Sequence, residues 1–534
     1  MRSRSSTGER PALYSGFSGL NTERGSIALE SPNSQAFVEL VGLVCTPDGT
    51  LTTEPARRLI DRSVLGGIVY VAPDAPNGVA YCVTAANPRQ RIGGYNFSNS
   101  INGQPATRFE WTPFVKQPDS RALGQPPSTN AGNGSATPVG TRVESQAMLR
   151  IPDRRILLGA RAGVPTTASP NVAPWSITGT GLSGLYAATS VQGRIVVLNE
   201  AGGTELLVSR AGDETVWPDQ ETPGDPSVLK AFFLDVGPVM PEGAIAVAAF
   251  EADKLAVFSQ RRCIVYQAGV SLNDWELLKG VETPVGCIGP RAVIAVGDEV
   301  FFASERGIHS LRRSDENGVT VFARPVSESI RTRYAELLAS VHAGNSALVN
   351  MAYDPSSGSL HAFFPLDGEA RRLTLRLSPE RIQSDSPGSW YESVHDNVFC
   401  AAWDGRRMLL GCDDGSVYEE VPSQPLLEPP PGRAVTPMLW LGSLTEPKQA
   451  SRLMLLADGV GEVIVRASDD EGRDLGAVEF SLTPPPDGVS AAQAGERSLT
   501  QPFPRRFTGL RLTIEVNPKS RVRIFGLGVI VKED

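Results

Sequence analysis

His309, His342, His361 and His395 are the four histidines of the chain, and no two stand within four positions of one another. A zinc site of the H-E-x-x-H kind needs two imidazoles one helical turn apart, so the sequence offers no local pair for it. A nucleophilic serine on a strand-to-helix elbow needs G-x-S-x-G, and a phosphate cradle needs G-x-x-x-x-G-K-S/T; neither pattern occurs. Carboxylates cluster in "GCDDGSVYEE" (411–420) and "SDDEGRD" (468–474). A calcium loop places oxygen ligands at alternate positions and closes with a bidentate Glu. "DDEGRD" is too short for that and reads as a hairpin turn with Gly472 at positive φ. Glycoside hydrolysis needs two carboxyl groups facing each other across a bond, and the linear sequence pairs no two of these acids. The reading is therefore not an enzyme, with no metal and no cofactor. A carbohydrate-active enzyme (glycosidase or lyase), or a binding module, is the alternative.

The arginines group most densely as Arg57, Arg58 and Arg62 and as Arg505, Arg506 and Arg511. Gripping nucleic acid needs a continuous basic stripe, whereas the chain carries a net charge of -9, and these groups read as solvated surface or interprotein ion pairs. The six cysteines are scattered with no C-x-x-C, which suits a reducing place of synthesis and buried thiols that pack as small hydrophobes. "MRSRSSTGERPALYSG" has charge but no apolar core, so it does not read as a signal peptide, and no run of 18 apolar residues exists. Membrane insertion is not expected.

The elements that would position any of these residues are strands. "GDEVFFASERGIHSLRR" (297–313) reads turn, apolar run, polar turn, alternating run. The same order returns at 251–268 and 404–421, and more loosely at 192–210, 356–377 and 66–85. "ALVNMAYD" (347–354) and "DNVFCAAWD" (396–404) each precede a hairpin by one turn and read as strands of the outer pair of a blade. A single meander leaves a face exposed, and stacking meanders radially covers it. With copies about 45–60 residues apart, save for the longer gap after the first, the pattern predicts a mainly β chain: a β-propeller over 66–425, six-bladed, with seven as the alternative. One segment, 327–343, has helical spacing (Ile330, Tyr334, Leu337, Leu338, Val341), with Ser327 or Ser329 as N-cap. Residues 98–147 are rich in Gly, Pro, Ser, Asn and Thr and read as a loop-rich insertion. Trp111, Phe114, Arg121, Asn130 and Arg142 within it are candidate gate or partner-contact residues. A Pro-rich spacer at 424–437 precedes a C-terminal β-sandwich module over 438–534. There Val463 and Val465 share a face, and Leu510, Leu512, Ile514 and Val516 repeat at period two. The N-terminal segment, 1–65, is expected to join that platform.

"ETPVGCIGPRAVIAVGDEVFFASERGIHSLRR…PVSESIRTRY" (282–334) resembles the tail nozzle proteins of short-tailed bacteriophages, also called tail tubular protein B or DNA stabilization proteins. Gly286 and Cys287, Gly297 and Asp298, Phe301 and Phe302, Gly307, Ile308 and Leu311, and Ser327 and Ile330 follow that family's order. The upstream hairpin "FEADKLAVFSQRRCIVYQAG" and the closing "VRIFGLGVIV" are also similar to it. The N-terminal "G-x-L-x-x-R-P" is matched by Gly49, Leu51 and Pro55, but Glu54 stands where the family has Arg. The resemblance implies a structural virion protein, made in the host bacterial cytoplasm and built into the phage tail. It implies a homo-hexamer beneath the head-to-tail adaptor ring that contacts tail fibres or tailspikes. Genomic double-stranded DNA would pass non-specifically through the lumen, and inserted loops would gate the channel. An acidic or neutral lumen wall would keep the DNA from sticking, because basic walls release counterions and bind.

Overall fold

The structure, a computed structural model, describes residues 9–15, 17–22, 36–46, 48–54, 56–62, 67–74, 79–85, 91–96, 107–111, 148–150, 156–158, 166–169, 176–179, 187–198, 201–212, 216–222, 224, 226–278, 283–313, 321–377, 389–395, 398–403, 407–412, 414, 416–421, 431–441, 445–483, 497–518 and 520–532. Between 67 and 179 it describes strand backbone only.

Among the described residues, strand pairing builds six separate four-stranded antiparallel sheets and a seventh four-stranded blade that forms one end of a 14-stranded sheet. Blade 1 spans 67–111, blade 2 148–179, blade 3 187–235, blade 4 246–277, blade 5 293–325 and blade 6 350–395; blade 7 spans 398–421 and adds a strand from the N-terminal region. The first strand of each blade packs beside the first strand of the next, and the seventh returns to the first. The chain is a β-propeller with seven blades where the repeat spacing predicts six. The seventh escaped the count because blade 2 (Met148–Arg150, Ile156–Leu158, Thr166–Ser169, Ser176–Gly179) has strands of three or four residues, too short to show alternation. "ALVNMAYD" and "DNVFCAAWD" supply first, innermost strands (Asn350–Asp354 and Val398–Trp403) rather than outer ones. The polarity of a short strand does not encode its radius in the wheel.

The ring closes non-sequentially. Ala56–Arg62 pairs antiparallel with Ser416–Val421 and becomes the fourth strand of blade 7. The N-terminal segment is thus divided. Glu9–Ser15 and Leu51–Thr53 pair with Arg521–Lys532 in the platform, Glu39–Val41 pairs with Gly432–Val435, and only then does the chain enter the propeller. Inside the 98–147 insertion, Thr107–Trp111 forms the fourth strand of blade 1 against Arg91–Asn96. Its five residues are masked, as sequence, by the polar composition around them.

The C-terminal module is a sandwich organised by one 22-residue strand, Lys448–Asp469. Its first half pairs with Arg497–Phe507 and Arg521–Lys532, its second half with Asp474–Leu482 and Leu510–Val516. The strand therefore serves both layers. Leu510, Leu512, Ile514 and Val516 are buried in alternation, and Val463 and Val465 lie on the same inner face. The platform is not tethered by a linker alone. Blade 6 continues sideways through Ser389–His395 to Glu39–Val41, Gly432–Val435, Leu510–Val516 and Lys448–Asp469. The parallel step between Val41 and Glu392 is reinforced by the Gly42 amide donating to the Glu392 carbonyl at 2.9 Å. One apolar core runs from blades 4–6 through the helix into the sandwich.

The helix is Arg331–Ala339, entered by a 3-10 turn at Glu328–Ile330, and it seats Tyr334 and Leu337 in that core. Ser327 does not cap it. The buried Ser327 hydroxyl instead accepts from the Ile308 amide at 2.8 Å, tying the helix entrance to blade 5. Gly472 takes φ +81 in the Asp469–Arg473 turn, where the Asp469 carboxylate accepts from the Glu471 and Arg473 amides.

Candidate functional site at the joint between propeller and platform

Alternation along blade 6 sends two sets of charged side chains to opposite faces. On Ala370–Arg376 the neighbours Arg371 and Arg372 point apart, as do Glu392 and Ser393 on Ser389–His395. One face, toward the helix, holds Glu392. It is 2% exposed and accepts from Arg333 Nε and Nη2 at 2.8 and 2.7 Å and from Arg371 Nη1 at 3.3 Å. This bidentate guanidinium–carboxylate contact locks the helix to blade 6.

The other face, toward blade 7, gathers three segments distant in sequence. Glu54 arrives from the strand leaving the platform, Arg372 and Ser393 from blade 6, and Glu420 from blade 7. Arg372 is 1% exposed, donates to Glu420, lies 3.7 Å from Glu54 Oε1, and sits over the Phe363 ring at 5.8 Å. Ser393 donates to Glu54, and Arg57 adds a contact to Glu54 at 3.9 Å while donating to the Val394 carbonyl at 2.9 Å. Burial raises the Glu54 carboxyl from 4.5 to about 7, outweighing the attraction of Arg372 and Arg57. Arg372 is held fully charged, with both carboxylates overcoming its own burial. His361 and His395 are pushed well below their ordinary value by burial and stand neutral. His361 Nδ1 lies 3.0 Å from Thr374 Oγ1, while its Nε2 has no hydrogen-bond partner.

Above this cluster opens a cleft of about 490 Å³ between blades 6 and 7 and the platform strand Arg521–Lys532. Glu54, Arg372, Glu420, His361 and Tyr391 form its deep end. Trp403, Arg376, Arg521, Asp354 and Asp458 stand nearer solvent. The geometry can do two things: bind the three segments into one body, and offer a polar recess to a small ligand.

Of the residues singled out from sequence, His361 and His395 are brought together with Glu54 and Arg57. His309 stacks on Phe302 in blade 5, and its Nδ1 lies 3.2 Å from the Gly307 carbonyl. His342 pairs with Asp367 at the surface. Of the second arginine group, Arg505 Nε donates to the Leu475 carbonyl at 2.6 Å on the sandwich. Cys45, Cys263, Cys287, Cys400 and Cys412 are buried free thiols. Trp111 ends the fourth strand of blade 1, while Phe114, Arg121, Asn130 and Arg142 lie outside the described residues. Sequence reading missed Glu54 as a site residue and missed Arg372 altogether. The one signal was Glu54 itself, a carboxylate at a position where the resemblance has arginine.

No family model matches the chain, and no curated protein matches it. Among solved structures it is similar to the β-propeller domain of Cps50 (Swd1) from Myceliophteria thermophila, at 8% identity and a TM-score of 0.41 over 68% of this chain and 100% of that one. It is also similar to U3-55K, at 8% identity and a TM-score of 0.39 over 69% and 100% of the two chains. The WD40 repeats of RRP9 align at 10% identity and a TM-score of 0.38 over 69% and 98%.

Proposed function

We propose that the chain is a structural subunit of a bacteriophage tail nozzle, six copies of which surround a channel for DNA ejection beneath the head-to-tail adaptor. The observation that supports this best is the joint. A subunit that holds a pressurised genome must pass force from the ring that docks it to the wheel that lines the exit. A sheet hydrogen-bonded from blade 6 into the platform, with buried ion pairs on both faces, carries force without a hinge. The sequence pattern between Gly286 and Ile330 resembles that family, and the acidic balance suits a wall past which phosphates slide. Shared evenly, six copies would carry about 54 negative charges.

Mass spectrometry of purified particles from the replicon that encodes the chain, with cryo-electron microscopy of their tails, tests the proposal. The chain is expected in the particle as a six-fold ring, with the platform toward the head. Absence of the chain from purified particles, or a ring wall lined by arginine, overturns the respective part.

A further inference from the structure

The cleft above Glu54 and Arg372 holds donors and acceptors that the protein itself leaves unused. Arg376, half-buried, and Arg521, exposed, line it, and among the described residues neither has a carboxylate or hydrogen-bond partner. Arg407 and Arg523, also in the wall, are already taken up by Glu419 and Asp48. On the acceptor side, Asp458 uses one carboxylate oxygen on the Gly459 amide, at 2.7 Å. His361, 3% exposed, lines the recess with an Nε2 that has no partner. A partly buried Trp403 completes the wall.

That combination selects among ligands. Two guanidinium groups with no side-chain partner among the described residues ask for one oxyanion. Four wall carboxylates (Glu54, Asp354, Glu420 and Asp458) disfavour a polyphosphate. Spare carboxylate oxygen and the hydroxyl of Ser359 need a ligand with several hydroxyl groups, which inorganic phosphate lacks. An aromatic wall suits the C–H face of a sugar ring, and a volume of about 490 Å³ falls in the range of small-ligand sites. We propose that this cleft binds an acidic saccharide, a sugar ring carrying one carboxylate, with the carboxylate on Arg376 and Arg521, hydroxyls on Asp458 and Ser359, and the ring against Trp403. The inference is independent of the nozzle reading: it needs the cleft, not the hexamer.

Titration calorimetry and Trp fluorescence of the full chain with sodium glucuronate, glucose and inorganic phosphate test it. Glucuronate is expected to bind, with glucose and phosphate each about tenfold weaker or more. The Arg376→Gln and Arg521→Gln double variant is expected to lose about tenfold for glucuronate while keeping the wild-type melting temperature. Trp403 packs against the core between blades 6 and 7, so the arginine pair, nearer solvent, is the primary variant. No binding of glucuronate, or binding indifferent to the double variant, overturns the proposal. Phosphate binding as tightly as glucuronate overturns the saccharide assignment.

Discussion

Glu54 shows how much one side chain can couple. It is 4% exposed, and Arg372, Arg57, Glu420 and Tyr391 interact with it. Its carboxyl rises from 4.5 to about 7 on folding because the cost of stripping water from the anion exceeds the attraction of the arginines. The folded state then holds a proton that the unfolded chain has released, so the stabilisation is complete below pH 4.5 and drains away as the pH rises to about 7. The full span corresponds to about 3 kcal/mol. His309, His361 and His395, all lowered by burial, act in the opposite sense: their contribution is present above 6.5 and falls away on acidification. A plain stability profile would blend the two. Glu54→Gln separates them, since the amide keeps the size and can still meet Ser393. Denaturant titrations from pH 5 to 8 are expected to show the variant gaining on the wild type as pH rises, by a few kcal/mol across the range. Parallel profiles would mean that Glu54 does not titrate there. Gly286 makes a different point about what a sequence carries. A Cβ there would stand 2.2 Å from the Ser259 carbonyl oxygen, so glycine at this position is a packing requirement. Cys287 next to it donates its amide to the same carbonyl at 2.8 Å.

Among the elements, the strand Ala56–Arg62 has the largest consequence for its length. It closes blade 7 with residues from the far end of the chain, so the last sheet is complete only after the first sixty residues have found it. Without it, Ser416–Val421 would be an open edge of the kind that pairs with other chains. Leu59 stands opposite Tyr418 in the ladder, and proline at Leu59 would remove a backbone donor and fix φ there. Leu59→Pro is expected to destabilise blade 7 and to strip hydrogen-exchange protection from 416–421, while the sandwich strands stay protected. Unchanged protection at 416–421 would show that the pairing does not hold the ring shut. The six hairpins named from sequence all form, because apolar runs separated by short polar turns encode an antiparallel pair locally. The helix was legible for the same reason, from the spacing of Ile330, Tyr334, Leu337 and Val341. The cap at Ser327 was not, because a serine before a helix can serve the next strand just as well. Nor could composition reveal Ala56–Arg62 as a blade strand, since its partner lies some 360 positions away.

At the scale of the molecule, propeller and platform are one body. A sequence with a Pro-rich spacer at 424–437 invites the picture of two domains on a tether, and local pattern does identify a propeller and a sandwich. What it cannot describe is the parallel step between Val41 and Glu392, or the meeting of Glu54, Arg372 and Glu420, because each depends on residues hundreds of positions apart. Blade number failed for a related cause: counting repeats depends on the longest hairpins, while a wheel closes on its shortest. The shared core has a thermodynamic consequence. Leu360, Leu373 and Trp390 of blade 6 belong to the same buried cluster as Leu453, Val465, Leu512 and Ile524 of the platform. Melting the sandwich would therefore expose the apolar side of blade 6 that the two halves bury together. Scanning calorimetry of the full chain is expected to give no separate low-temperature transition for the platform. Hydrogen exchange is expected to find the blade 6 strands and Leu510–Val516 opening together rather than in sequence. Two resolved transitions, with blade 6 still protected after the sandwich has melted, would show a joint that transmits no cooperativity. A subunit with such a joint could not pass force from docking ring to channel wall, and the mechanical reading would lose its main support.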